Sequence, residues 1–319
     1  MAADGFDIAR WRGGLDGHAI GIVAPGGYAP DPTAVAVAVD RLRALGARVK
    51  LFCAPHERNE RFSAPDGARA RALHDAFADP DVSLVLALRG GYGATRLLPL
   101  LNFERLQQNR KLLIGHSDIT ALQLALLAKA GMPSLSGPMI CDDFTRDMPS
   151  RFMLDHFLGL LRGGHAVEFA AAGSAPMEAE GMLWGGNLAM LTHLAGTPYF
   201  PQVEGGILFV EDVNEHPYRV ERMLLQLMHA GVLQRQKALL LGDFSLYRLS
   251  DYDNGYDFDA MLRHLRSSLA IPVLTGLPFG HIRDKASLPV GVKARLVSDR
   301  SKTRLSFPGF SVPAASAER

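Results

Sequence analysis

Apolar residues in the first half of the chain come in short blocks separated by stretches of helical spacing. His18 to Ala24 is one block, closed by Pro25, Gly26 and Gly27, and it reads as a buried strand. Asp31 then opens a helix with Val35, Val39, Leu42 and Leu45 along one side. Ala47 to Cys53 predicts a second strand, followed by a polar loop through Arg58, Asn59 and Glu60. Asp66 to Ala78 has helical spacing through Ala70, Leu73 and Phe77, and Val82 to Leu88 is continuously apolar, like strands covered on both faces. Another apolar run, Lys111 to Gly115, passes directly into a helical pattern from Asp118 to Ala130. Met132 to Pro138 offers a further strand, and Pro149 to Leu161 a helix whose apolar residues include Phe152, Leu154, Phe157, Leu158 and Leu161. Strands alternating with helices predict a parallel sheet flanked by helices.

Gly163, Gly164 and the low-complexity stretch Phe169 to Pro176 mark a crossing into a second unit. The expected division is an N-terminal α/β domain over 1–165, a linker over 166–178 and a smaller mixed α/β domain over 179–319. In the second half, Gly185 and Gly186 precede a short helix started by Asn187. Gly206 to Val210 is a strand running into Glu211 and Asp212, and Val220, Leu224, Leu227 and Met228 share a face of the next helix. A strand over Ala238 to Asp243, a helix near Phe258 to Leu269 and an extended, glycine-punctuated segment from Pro272 to His281 follow. Ser287 to Phe307 alternates as a closing hairpin would.

Composition narrows the function classes. The 34 Lys plus Arg nearly cancel the 33 Asp plus Glu, without a long block of either sign, which argues against nucleic acid as a partner. Cys53 and Cys141 form no C-x-x-C pair, so a reduced compartment with idle thiols is expected and a metal site is not. The first ten residues have acids where a signal peptide has a basic start, and no apolar run is long enough to span a bilayer. The expectation is a cytoplasmic protein with no membrane partner.

Candidate chemistry sits at element ends. Ser117 lies two residues after the glycine that ends an apolar run, where a strand turning into a helix presents a side chain at the carboxyl edge of a sheet. The match to G-x-S-x-G is incomplete because Ile119 replaces the second glycine, and Ser117 or Asp118 also suits an ordinary helix cap. Arg89, Gly90, Gly91, Tyr92 and Gly93 close the third strand, suiting either a tight turn or a set of backbone amides for an anion. They lack the G-x-G-x-x-G spacing, so no nucleotide cofactor is expected. Glu211 suits either a solvated turn or an acid with a role, and His281 is one of 11 histidines. Ser117, Glu211 and His281 are nevertheless the residue types of acyl transfer. A serine hydroxyl needs a base to take its proton, and a carboxylate to orient that base and offset its charge. Amides near Gly91 and Asp118 are candidates for the oxyanion hole.

The chain resembles the LD-carboxypeptidases (muramoyltetrapeptide carboxypeptidases), a family that includes the microcin immunity peptidases. The resemblance covers nearly the whole chain and rests on Arg89 to Gly93, Gly115 to Thr120, Gly185 to Leu188, Leu208 to Val213 with Pro217 to Arg219, and Gly280 with His281, in that order. It implies Ser117 as nucleophile, Glu211 as orienting acid, His281 as general base, and an N-terminal parallel-sheet domain beside a smaller mixed domain. His116 stands where the family more often has an aromatic residue. The implied substrate is a murein tetrapeptide losing its terminal D-alanine in cell-wall recycling, with no metal or other cofactor and with a homodimer as the assembly. Arg89, Gly90, Trp184 and Asn187 are the expected substrate-binding residues, although Arg89 suits an ion pair with a carboxylate elsewhere equally well. Two other readings stand beside this one: an amidase cleaving peptidyl or aminoacyl nucleotides for self-protection, and a non-catalytic carboxylate-binding protein.

Overall fold

A computed structural model describes residues 8–164, 166–171, 175–299 and 301–312. The leader reading of the first residues therefore falls mostly outside the described residues, as does the middle of the low-complexity stretch.

The first half builds β1 (Ala19–Val23), α1 (Pro32–Ala44), β2 (Arg48–Leu51), α2 (Asp66–Ala78) and β3 (Leu84–Ala87) as the apolar pattern predicts. Asp31 caps α1 by accepting from the Thr33 and Ala34 amides, with Pro32 at the first helical position. Between Gly93 and Lys111 the chain forms α3 (Ala94–Leu97) and α4 (Phe103–Gln108), which the sequence reading lacked. Helices of four and six residues are too short to develop a periodic signal. Next come β4 (Leu112–Gly115), a 3₁₀ turn over Ser117–Ile119, α5 (Thr120–Ala130), β5 (Ser134–Ser136) and α6 (Arg151–Leu161).

The second half contributes β6 (Ala166–Phe169), β7 (Met177–Asn187), α7 (Leu188–Leu194), β8 (Ile207–Val213), α8 (Pro217–His229), β9 (Ala238–Ser245), α9 (Phe258–Ser268), β10 (Val273–Leu274), β11 (Leu288–Val290), β12 (Val292–Ser298) and β13 (Thr303–Ser306). The chain is α/β with two sheets, ordered β11-β5-β4-β3-β1-β2 and β10-β9-β8-β7-β12-β13-β6. The first is parallel except for its antiparallel edge β11. In the second, β7 to β10 run parallel and the rest antiparallel.

Two segments depart from the expected division. Ala166–Phe169, assigned to a linker, pairs with β13, and β11 leaves the expected closing hairpin to complete the first sheet. Neither is visible locally, because each strand's partner is distant in sequence. Buried apolar residues from both sheets form one continuous cluster. β7 was hidden by its glycines, which close approach requires: a Cβ on Gly186 would lie 2.4 Å from Thr120 Oγ1. No described helix is long and apolar enough to cross a membrane.

Candidate active site

β3 and β4 are parallel neighbours, so the glycine loop after β3 and the turn after β4 meet at one sheet edge. Gly90 carries no side chain because Ser117 occupies its space: a Cβ there would lie 2.7 Å from Ser117 Cβ and 2.9 Å from Ser117 Oγ. Ser117 itself has φ 61, a left-handed conformation that costs a non-glycine residue about 1–3 kcal/mol and clusters at functional sites. That conformation separates it from an ordinary helix cap. Its side chain faces the groups described next rather than a free amide of α5, for which no side-chain cap bond forms.

Ser117 Oγ lies 3.0 Å from His281 Nε2, and His281 Nδ1 lies 2.8 Å from Glu211 Oε2. With Glu211 ionised, the ring donates from Nδ1 and Nε2 is left to accept the serine proton. Glu211 is fully buried. It sits within β8 rather than beyond it, next to a register shift between Val210 and Asp212, and that irregularity accompanies the burial of both acids. Asn187 Nδ2 donates to Glu211 Oε1 at 3.3 Å and to Asp212 Oδ1 at 3.0 Å, while Asn187 Oδ1 accepts from Met190 N to cap α7. Burial works against a charged His281, yet the hydrogen bond and charge of Glu211 outweigh it and raise the ring's pKa. Asp212 is pushed up to about 6 by burial and by Glu211 beside it.

The expected substrate-binding residues separate into two groups. Gly90 lies against Ser117, whereas Arg89 points into a cavity that none of Ser117, Glu211 and His281 lines. That cavity, of about 250 Å3, is lined by Arg89 with Gly27, Tyr28, Glu60, Arg61, Gly91 and Tyr92, and so holds an acid as well as two cations. Arg89 Nε is buried without a hydrogen-bond partner, and among the described residues no carboxylate pairs with it. Trp184 does not reach the site as a ligand: it is fully buried, and its Nε1 donates to Gln236 Oε1 at 2.9 Å. An indole in a central strand packs in the core. Asn187 is buried too, and its side-chain bonds go to Glu211, Asp212 and the α7 cap. The Gly91 amide, expected free for an oxyanion, donates to Asp118 Oδ2 at 3.1 Å, and Ser117 Oγ also lies 3.3 Å from that oxygen.

Several supporting groups carried no local signal. Arg69 of α2 is buried, and its guanidinium bonds Pro25 O, Gly93 O and Asp66, tying the loops after β1 and β3 together. Thr120 Oγ1 accepts from Asn187 N at 3.0 Å, joining α5 to the end of β7. Lys285, Asp143 and His116 form a buried polar cluster behind the site. Cys53 and Cys141 are raised to about 12 and about 11, chiefly by burial, which leaves both thiols poor nucleophiles.

Known proteins resemble this chain in sequence and in fold. Residues 20–137 match the LD-carboxypeptidase N-terminal domain and residues 180–296 the LD-carboxypeptidase C-terminal domain. The crystal structure of muramoyltetrapeptide carboxypeptidase from Oxalobacter formigenes is similar at 52% identity and a TM-score of 0.88, over 92% of this chain and 99% of that one. A probable murein peptide carboxypeptidase of Bacillus subtilis is 31% identical over 302 residues, 92% of this chain and 93% of the relative. The structure of MccF in complex with glutamyl sulfamoyl guanosine shares the fold at 23% identity and a TM-score of 0.83, covering 92% of this chain and 97% of that one.

Proposed function

The chain belongs to the LD-carboxypeptidase family, and from that premise we propose that this carboxypeptidase hydrolase releases terminal D-alanine from murein tetrapeptides by Ser-His-Glu acyl transfer. The observation that carries the proposal is the unbroken chain from Ser117 Oγ through the His281 ring to the buried Glu211 carboxylate.

In this reading His281 Nε2 takes the Ser117 proton as Oγ attacks the carbonyl of the L-centre. The imidazolium is then stabilised by Glu211. The tetrahedral oxyanion is held by the amides of Asp118 and Gly91, the second of which must first release the Asp118 carboxylate it now binds. His281 returns its proton to the departing D-alanine amine, and a water activated by the same nitrogen cleaves the acyl-enzyme. Arg89, which lines the cavity beside the glycine loop, receives the terminal carboxylate of the peptide through the exposed end of its guanidinium. The cell-wall recycling role, the cytoplasmic location and the homodimer belong to the same proposal and rest on the family resemblance.

Mass spectrometry of D-alanine release from a murein tetrapeptide tests the activity, with Ser117→Ala as control. The variant should fold normally and lose several orders of magnitude in rate, about 10³-fold or more. Cleavage of an aminoacyl sulfamoyl adenylate without tetrapeptide hydrolysis would transfer the chain to the immunity-type amidases. Failure of Ser117 to react with a fluorophosphonate, with neither substrate cleaved, would leave a binding protein.

A further inference from the structure

His281 is delivered by the chain of the second sheet but must meet Ser117 of the first. The loop that follows it is fastened to the first half of the chain in three ways. Ser150 Oγ donates to Asp284 Oδ1 at 2.6 Å, Lys285 Nζ donates to Asp143 Oδ1 at 2.8 Å and to His116 Nε2 at 3.3 Å, and β11 then pairs with β5. The exposures of Lys285, Asp143 and His116 are 1%, 2% and 2%. A buried ion pair is weak evidence for stability, because desolvation offsets much of the Coulomb attraction and apolar pairs often replace it without loss. Its geometric constraint is stronger than its energy.

Each member of the cluster is held in one orientation. Asp143 Oδ2 accepts from Met139 N at 2.9 Å, and His116 Nδ1 donates to Gly137 O at 2.9 Å. Burial and the adjacent ammonium keep His116 well below the ordinary histidine pKa, so its Nε2 accepts from Lys285. His116 directly precedes Ser117, and its ring meets that of His281 edge-on, with centroids 5.3 Å apart at 70°. The ammonium therefore grips the serine turn on one side and, four residues along the same loop, the base on the other.

We propose that Lys285, held by Asp143 and His116, is a positioning residue that sets the register of the His281 ring against Ser117. The inference rests on the proposed roles of Ser117 and His281. Lys285 also has an electrostatic effect. Around His281 stand Glu211 and Asp212 from β8, Asp243 of β9 beside Gly280, Asp118 beside Ser117, His116 after β4, and Asp143 behind Lys285. Lys285 opposes protonation of the ring where Glu211 and Asp212 favour it.

The test is the rate at which a fluorophosphonate labels Ser117 as a function of pH, a readout independent of the peptide substrate. The double variant Asp143→Leu/Lys285→Met removes both buried charges together. It should melt no lower than the native protein yet label about 10²-fold more slowly at its plateau, the scale of a small misplacement of reacting groups. Its half-maximal pH should move upward, since Lys285 opposes protonation of the ring directly whereas Asp143, removed with it, stands behind the ammonium. His116→Phe keeps the ring contact and the ion pair but removes the acceptor for Lys285, and should show part of the rate loss if the double variant does not fold. Native rate and native pH midpoint in either folded variant would overturn the inference. A native enzyme whose Ser117 resists the probe would instead overturn the triad and this inference with it.

Discussion

Glu211 does two things for His281: it fixes the tautomer through a 2.8 Å hydrogen bond and it supplies a buried countercharge. Glu211→Gln keeps the shape, removes the charge and can turn its amide N–H toward Nδ1, so it tests both together. In the proposed mechanism His281 is a base only as neutral imidazole, so activity falls below the ring's pKa, and the raised pKa puts that acid limb above the usual histidine value. With Glu211 neutralised, burial is left as the main influence and lowers the pKa, so the limb of kcat/KM should move to lower pH. The plateau should fall about 10⁴-fold, as when the acid of a serine triad is made neutral. A pH profile of kcat/KM decides it, and an unmoved limb would remove Glu211 from the triad. Arg89 is testable through its substrate. If its guanidinium meets the terminal carboxylate, Arg89→Met should slow hydrolysis of the tetrapeptide far more than that of its C-terminally amidated form. Equal losses on the two peptides would assign Arg89 to the architecture of the glycine loop.

The elements matter through their ends. β4 stops at Gly115 and α5 starts at Thr120, so the intervening turn holds Ser117, while α7 starts at the Asn187 that donates to Glu211. Thr120 links these two helix starts, because its Oγ1 accepts the Asn187 amide in a fully buried contact. Thr120→Val preserves the side-chain volume and leaves that amide without a partner. It should destabilise the fold by about 1–3 kcal/mol, the cost of an unsatisfied buried donor. It should also lower kcat, since Asn187 would no longer hold Glu211 in line. Denaturant titration and turnover measured together test this, and a stable variant with native kcat would show that the helix starts are positioned independently.

At the scale of the whole molecule, the second half of the chain lends one strand to the first sheet. β11 comes from the second half and covers the outer edge of β5. A fragment ending at residue 165 would leave that edge unpaired, and unpaired edges invite association between chains. The fragment should aggregate alone and become soluble when residues 166–319 are co-expressed; a monomeric fragment with a cooperative melt in size-exclusion and calorimetry would contradict this. The amino-acid sequence by itself determined β1 to β5 and the main helices, because burial on two faces, helical spacing and caps such as Asp31 are written within a few neighbouring residues. Its ordered motifs, read through their resemblance to a family, also singled out Ser117, Glu211 and His281. Tertiary structure alone decided the left-handed turn at Ser117, the burial that withdraws Trp184 from the site, and the partners of Asn187 and Lys285. Ser117 and His281 are 164 residues apart and Lys285 and Asp143 are 142 apart. A side chain's nearest residues in the chain state its chemistry, but its partners are chosen by the packing of one sheet against the other.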